Sequence, residues 1–309
     1  MRSLATCVQR ALTELAVEDG KIVIGGVTLS FCSGPGPSTG KGLYPYLESD
    51  MAVPDDMSEF IDKVVMVTGA AGNLGAATAD AFAARMAKLA LVDLDTRRLE
   101  SLERRFGDPA RIGGFSTDLL DRDAVHQCVS SIMDRFGRID GLFAVAGGSG
   151  RRFGDGPVHE MDLTGWEETL KLNGHPAFLA ARNAVRVMRS QELNDSGTRG
   201  SIVLVTSVLA ASPVPSHFAT HAYAAVKGAE VSLTTTMASY YAPDLIRVNA
   251  IAPGLIRTPM AERAAEDPVI SAYAARKQPI AGGLLAPVEV ATAGAFLLGD
   301  ASRHITGQV

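Results

Sequence analysis

Only three cysteines occur in the 309 residues, Cys7, Cys32 and Cys128. They are odd in number, widely scattered and without CxxC spacing, which argues against a disulfide framework and a zinc knuckle and for a reducing compartment. Basic residues are outnumbered too: 29 Lys and Arg face 34 Asp and Glu, for a net charge of -5. A surface that tracks nucleic-acid phosphates is therefore not expected. The apolar stretch between Arg2 and Arg10 is too short for a secretory signal, and Glu14 soon follows. The longest run without a formal charge, Gly200 to Val226, is punctuated by Pro213, Pro215, His217 and His221, which a membrane span seldom carries. The expectation is a soluble, cytoplasmic protein without nucleic-acid or membrane partners. Hydrophobic residues at 47% and charged residues at 20% are enough to fill a core and offset the entropy of ordering.

From Lys63 onward, short β-branched apolar runs alternate with longer amphipathic stretches, the pattern of βα units around a parallel sheet. Strands are expected at Val64–Thr68, Leu89–Asp93, Ile112–Thr117, Gly141–Ala146, Ser201–Ser207 and Ile246–Ala252, with helices between. The fold class is α/β, a doubly wound parallel sheet in one domain, 60–309, preceded by an accessory extension, 1–59. That extension reads as a short amphipathic helix at Leu4–Leu15, a hairpin of Lys21–Ile24 and Val27–Phe31 around Gly25–Gly26, and a Gly- and Pro-rich loop, 34–42. Gly40–Lys41 at its end does not make a phosphate loop: Pro35 stands where a glycine is needed, and Gly42 replaces the Ser or Thr.

The run Val64–Val67 enters Thr68-Gly69-Ala70-Ala71-Gly72-Asn73-Leu74-Gly75 and then the helix formers Ala76, Ala77 and Ala79. Glycines suit a sharp turn where a diphosphate approaches the backbone, and the free N–H groups and dipole of the helix attract its charge. Asp93, with Leu94 after it, closes the next strand near the interval at which a ribose-binding acid is expected. Its charge would repel a 2′-phosphate and the turn holds no Arg or Lys, so NAD is preferred over NADP. Arg97 and Arg98 speak the other way unless they are solvated. Further on, Tyr223 and Lys227 stand four residues apart in a helical stretch and so share one face. The strand before them delivers Ser207 at the carboxyl end of the sheet, where open α/β proteins bind ligands.

Taken in order, the glycine turn 68–75, Asp93, Asp118, Ala146-Gly147, Asn173, Ser207, Tyr223 with Lys227, and Arg247-Val-Asn-Ala-Ile-Ala-Pro-Gly254 running to Thr258 resemble the short-chain dehydrogenase/reductase family over about Phe60 to Val309. The resemblance implies a Rossmann-type fold and hydride transfer between NAD(H) and a secondary alcohol or ketone. Tyr223 is then the acid–base group, its hydroxyl made more acidic by Lys227 and by an oxidised nicotinamide. Ser207 holds the substrate oxygen, Lys227 also binds the nicotinamide ribose, and Asn173 organises a water leading to Lys227. For the dinucleotide it implies Gly69, Gly72, Asn73, Leu74 and Gly75 at the phosphates, Asp93 and Leu94 at the ribose and Asp118 and Leu119 at the adenine. Ala146, Gly147, Pro253, Gly254, Ile256 and Thr258 complete the set. No metal is implied, and a homodimer or homotetramer is expected.

This chain departs from the family pattern in several places. Asn73 stands where compact members have glycine. Ala144-Val145-Ala146-Gly147 replaces Asn-Asn-Ala-Gly, so that strand is expected to rely on packing alone. The interval from Ser207 to Tyr223 is long, and its Pro213, Pro215, His217, Phe218 and His221 should line the substrate entrance. The segment 147–159 forms another rim, where Arg151 and Arg152 either face solvent or hold a carboxylate, and Phe153 and Met260 are further candidates for the pocket. His217 and His221 lack a neighbouring carboxylate, so no metal site is expected there. After Ile305–Val309 relatives usually add a strand bearing Asp-Gly-Gly, and the N-terminal hairpin is expected to cover an open sheet edge or interface. A sugar-nucleotide epimerase is disfavoured because it needs a longer C-terminal substrate region. The alternative from another class is a non-catalytic dinucleotide-binding regulator or scaffold.

Overall fold

A computed structural model describes residues 17–18, 21–24, 27–30, 59–258, 261 and 266–309. The chain separates into two compact units, Met1–Ala52 and Val53–Val309. In the first, β1 (Val17–Glu18), β2 (Lys21–Ile24) and β3 (Val27–Ser30) form an antiparallel sheet in the order β1-β2-β3. Ile24 pairs with Val27, as a two-residue hairpin connection requires. The additional strand β1, two residues long, is too short for any periodic signal. The helix expected at Leu4–Leu15, the Gly25–Gly26 turn, the loop 34–42 and Met260 lie outside the described residues.

The second unit alternates strand and helix throughout. Its strands are β4 (Val64–Thr68), β5 (Lys88–Asp93), β6 (Ile112–Ser116), β7 (Gly141–Ala144), β8 (Gly200–Val205) and β9 (Ile246–Ile251). They pair in parallel in the order β6-β5-β4-β7-β8-β9. The helices are α1 (Asn73–Ala84), α2 (Thr96–Phe106), α3 (Arg122–Phe136), α4 (Leu163–Ser190), α5 (His221–Tyr241), α6 (Pro268–Lys277) and α7 (Pro287–Leu298). Aspartates set where several of them start: the side chains of Asp95, Asp121, Asp162 and Asp267 accept hydrogen bonds from N–H groups of the turn that follows.

Alternation along β4 shows why both faces of the sheet are covered. Val64 and Met66 join Val129 and Ile132 of α3, Ala184 and Met188 of α4 and Ala238 of α5 in one core. Val65 and Val67 join Phe82 of α1, Leu99 of α2 and Leu298 of α7 in the other. This is the doubly wound Rossmann arrangement, and the strand order reverses between β4 and β7, so a crevice opens there beyond the carboxyl ends of the strands. At the opposite end, the buried Arg247 guanidinium donates to the carbonyls of Leu297, Leu298, Gly299 and Ile305, fastening α7 and the C-terminal segment to β9. Burial lowers this guanidinium to about 10. Along β9, Ala250 N–H donates to the Gln308 carbonyl and Gly307 N–H to the Val248 carbonyl, so residues 307–308 run beside the sheet edge.

Strand β7 ends two residues earlier than the sequence suggested, and packing is not its only tie. The Thr68 hydroxyl of β4 accepts from the N–H groups of Val145 and Ala146 at 3.2 and 3.3 Å. A side chain on the neighbouring strand thus supplies the polar tie that the missing asparagine would have made.

Candidate active site

The crevice at the strand reversal is a cavity of about 600 Å³. Every residue singled out above for dinucleotide or catalysis lines it. Gly69, Gly72, Asn73, Leu74 and Gly75 form one wall, with Asp93, Leu94, Asp118 and Leu119 at the end over β5 and β6. Ala146, Gly147 and Asn173 stand in the middle, and Ser207, Tyr223, Lys227, Pro253, Gly254, Ile256 and Thr258 at the other end.

The glycine wall has little freedom. Gly69 has φ +66, in the left-handed region, and a Cβ there would come within 3.0 Å of the Ala146 backbone. A Cβ on Gly75 would collide with the Gly69 carbonyl oxygen and come within 2.7 Å of the Ala70 Cα. α1 starts at Gly72 with no side-chain cap, so the N–H groups of its first turn are left for a ligand in the cavity. Asp93 braces this wall: one carboxylate oxygen accepts from Ala71 N–H and the other from Asp95 N–H, both at 3.0 Å. The cradle fits a diphosphate, with Asp93 beside it. Arg98 also lines the cavity, but its exposed side chain lies 3.4 Å from Asp95.

At the other end, Ser207 follows β8 and caps a short 3-10 turn, its hydroxyl accepting from Leu209 N–H at 3.2 Å. The same hydroxyl is near enough to the Tyr223 phenol to pull its pKa down. Lys227 Nζ lies 5.8 Å from the centroid of the Tyr223 ring. The Tyr223 hydroxyl is nevertheless not made more acidic in this form of the protein. Burial and the charge of Glu230 push it up to about 12, and only the Ser207 hydroxyl pulls it down. Without a dinucleotide Lys227 brings no lowering of its own, because the ammonium is paired with the buried carboxylate of Glu230 at 2.9 Å.

Asn173 is fully buried on α4. Its Oδ1 accepts from Gly148 N–H at 3.0 Å, and its Nδ2 donates to the carbonyls of Gly148 and Thr169. Its side chain therefore locks the rim loop to α4. Three residues on, Pro176 offers no N–H to the carbonyl of Leu172, and both residues line the cavity.

Three residues that brace this region are not evident from the sequence. The buried Asp155 accepts from the N–H groups of Ala222 and Tyr223 at 3.0 and 3.1 Å, capping α5 from the rim loop. Gln278, which caps the end of α6, both accepts from and donates to Leu255, and so holds the backbone that follows Pro253-Gly254. Glu230 is the third; an acid three residues after Lys227 on one helix was the available signal. Of the entrance residues expected from the sequence, Phe218 lines the cavity, beside Leu209 and Thr220, and the exposed Arg151 lines it from the other side with Ser149, whereas Pro213, Pro215, His217, His221, Arg152 and Phe153 stand outside the lining. His221 Nδ1 accepts from Val158 N–H at 3.1 Å, and His217 stacks edge-on against Tyr273 at 5.0 Å.

Residues 69–309 match the family model described as Enoyl-(Acyl carrier protein) reductase. The chain belongs to the short-chain dehydrogenase/reductase family. It is 34% identical over 251 residues to cis-4-hydroxycyclohexanecarboxylate dehydrogenase of Sinomonas cyclohexanicum, covering 81% of this chain and 94% of that one. A short-chain dehydrogenase/reductase structure from Brucella melitensis, titled as a glucose/ribitol dehydrogenase, superposes with a TM-score of 0.71 at 31% identity, over 81% of this chain and 95% of that one. A gluconate 5-dehydrogenase from Burkholderia cenocepacia, in complex with NADP and tartrate, gives 0.73 at 25% identity, over 82% and 94%. The protein is thus a hydride-transfer oxidoreductase using a nicotinamide dinucleotide, and the comparisons lend nothing to a non-catalytic scaffold. Among the described residues, no helix is long and apolar enough to cross a membrane.

Proposed function

We propose that the protein is an NAD-dependent dehydrogenase/reductase of secondary alcohols and ketones, with 60–309 as its catalytic domain and 1–59 as an accessory extension. The observation that carries this reading is that Ser207, Tyr223 and Lys227 line one end of a cavity whose other end holds the α1 N-terminus and Asp93. The dinucleotide would lie along 69–75, with its adenosine ribose at Asp93, its adenine at Asp118 and Leu119, and its nicotinamide near Pro253, Gly254, Ile256 and Thr258. When bound, it supplies the carbon that gives or takes the hydride.

The chain's own residues do the rest. Ser207 and Tyr223 hold the substrate oxygen between two hydroxyls, which fixes the carbon that bears it. Tyr223 donates its proton to that oxygen in reduction and takes it back in oxidation. Lys227 sits behind the phenol within reach of a ribose. Asn173 keeps the Gly148 rim in place, and the Leu172 carbonyl, which receives no helix hydrogen bond from Pro176, offers an acceptor for a water on the proton path.

NAD is favoured because Asp93 is the charge at the ribose end and the nearby Arg98 is paired with Asp95. The NADP bound to the gluconate dehydrogenase is the reason to test both. Arg151 at the rim and the carboxylate in the name of the Sinomonas relative's substrate suggest cyclic alcohols with and without a carboxylate. The protein is further proposed to be cytoplasmic and a homodimer or homotetramer, with exposed apolar side chains such as Phe178 and Tyr240 on α4 and α5 available for assembly. A panel of secondary alcohols and ketones with NAD(H) and NADP(H), followed by nicotinamide absorbance, tests the reading. Turnover that falls about a hundredfold or more in Tyr223→Phe supports it; turnover untouched by that substitution refutes it.

A further inference from the structure

Glu230 is a buried carboxylate for which the scheme above has no task. It lies three residues beyond Lys227 on α5, and the two residues are 3% and 5% exposed. Lys227 Nζ donates to its two oxygens at 3.0 and 2.9 Å and to the Val205 carbonyl at 2.9 Å. An ammonium has three N–H donors. All three are engaged by protein acceptors, so a ribose hydroxyl or a water reaches Nζ only where Glu230 yields one of its two bonds.

We propose that Glu230 is a positioning residue: its carboxylate holds the Lys227 ammonium against β8, gives up one hydrogen bond when a ribose arrives, and sets how much of the lysine's charge is felt at the Tyr223 hydroxyl. This rests on the reading of Tyr223 and Lys227 given above and deepens it. An ammonium alone beside the phenol would favour its ionised form; an ammonium sharing its hydrogens with a carboxylate favours it much less. The phenol keeps its proton through the neutral range, ready to give it to a carbonyl oxygen.

The groups around the phenol are few. α5 brings Lys227 and Glu230, the turn after β8 brings the Ser207 hydroxyl, α4 brings the uncharged Asn173, and the rim loop brings the exposed Arg151 and the buried Asp155, whose carboxylate is committed to the Ala222 and Tyr223 N–H groups at the start of the helix. On β9 the guanidinium of Arg247 is committed to backbone carbonyls at the far end of the strand. On α4, Lys171 and His175 are exposed and Arg182 is partly so. Burial raises the Glu230 carboxyl itself, while Lys227 pulls it down.

The test uses the full chain without dinucleotide, labelled with 13C at tyrosine Cζ, and Tyr223 assigned through Tyr223→Phe. The proposal expects the Tyr223 resonance to stay in its phenol form beyond the pH at which an ordinary tyrosine ionises, near ~10. In Glu230→Gln, which removes the charge and keeps an acceptor, it should titrate about one pH unit lower. Glu230→Asp, which keeps the charge, should titrate with the wild type. The alkaline limb of alcohol oxidation should follow the same order. A Glu230→Gln titration that overlays the wild type overturns the proposal. So does a Glu230→Asp titration shifted a full unit down, a result that remains decisive if the Gln variant fails to fold. The resonance reports on Tyr223 without turnover, so failure here is distinct from failure of the dehydrogenase reading.

Discussion

Removing Asp155 should loosen the helix that presents Tyr223, and the structure sets the scale. The buried carboxylate accepts two backbone N–H bonds at the start of α5, from Ala222 and from Tyr223 itself. The same rim loop is held by His221 N–H donating to the Gly156 carbonyl and Val158 N–H donating to His221 Nδ1. Hydrogen bonds to charged groups contribute about 1.5–3 kcal/mol each, and truncating a helix cap costs about 0.5–2 kcal/mol. Water from the adjoining cavity would recover part of the loss, so Asp155→Ala should destabilise the catalytic unit by about 2–4 kcal/mol. For a unit of this size each kcal/mol lowers the melting temperature by about 2–4 °C, which gives a drop of about 5–15 °C. Asp155→Asn, with one acceptor oxygen left, should fall between. Differential scanning calorimetry measures this directly. A melting temperature for Asp155→Ala within about 1 °C of wild type would refute the reasoning, because two orphaned N–H groups at a buried helix start cannot be that cheap.

Gly75→Ala should abolish dinucleotide binding and unfold a large fraction of the chain, since the new methyl meets backbone atoms of Gly69 and Ala70 that no rotamer change can move; calorimetric titration with NAD+ and circular dichroism report both effects. Asp93→Asn should narrow the preference for NAD over NADP by about fivefold in kcat/KM, because it removes a repulsion of about 1 kcal/mol at the 2′ position. Tyr223 is raised to about 12 in the free protein, so the protonated form that reduces carbonyls prevails at neutral pH. Alcohol oxidation, which needs the deprotonated form, should therefore rise toward alkaline pH, and a bell centred below pH 7 would contradict it.

The strands of the large sheet were legible because, apart from β6 with its two glycines, each is a short run buried along most of its length, and the cavity lining was legible because its motifs occur in a fixed order along those strands. Strand ends were less so. Val145 and Ala146 carry strand-forming composition, yet their N–H groups turn to the Thr68 hydroxyl. Asp155, Glu230 and Gln278 escaped notice for a related reason: what they do depends on partners that only folding brings close. Asp155 meets N–H groups 67 and 68 residues away, and Gln278 meets a loop 23 residues back. Glu230 lay within reach of a helical-spacing argument, but the consequence for Tyr223 also depends on burial, which no local pattern reveals.

The most direct test of the account is a crystal structure of the protein with NAD+ and a secondary alcohol that it oxidises. The account predicts the adenosine ribose on Asp93, the diphosphate at the start of α1, and the alcohol oxygen within hydrogen-bonding distance of both Ser207 and Tyr223. A dinucleotide bound outside this crevice, or an alcohol whose oxygen touches neither hydroxyl, would contradict it.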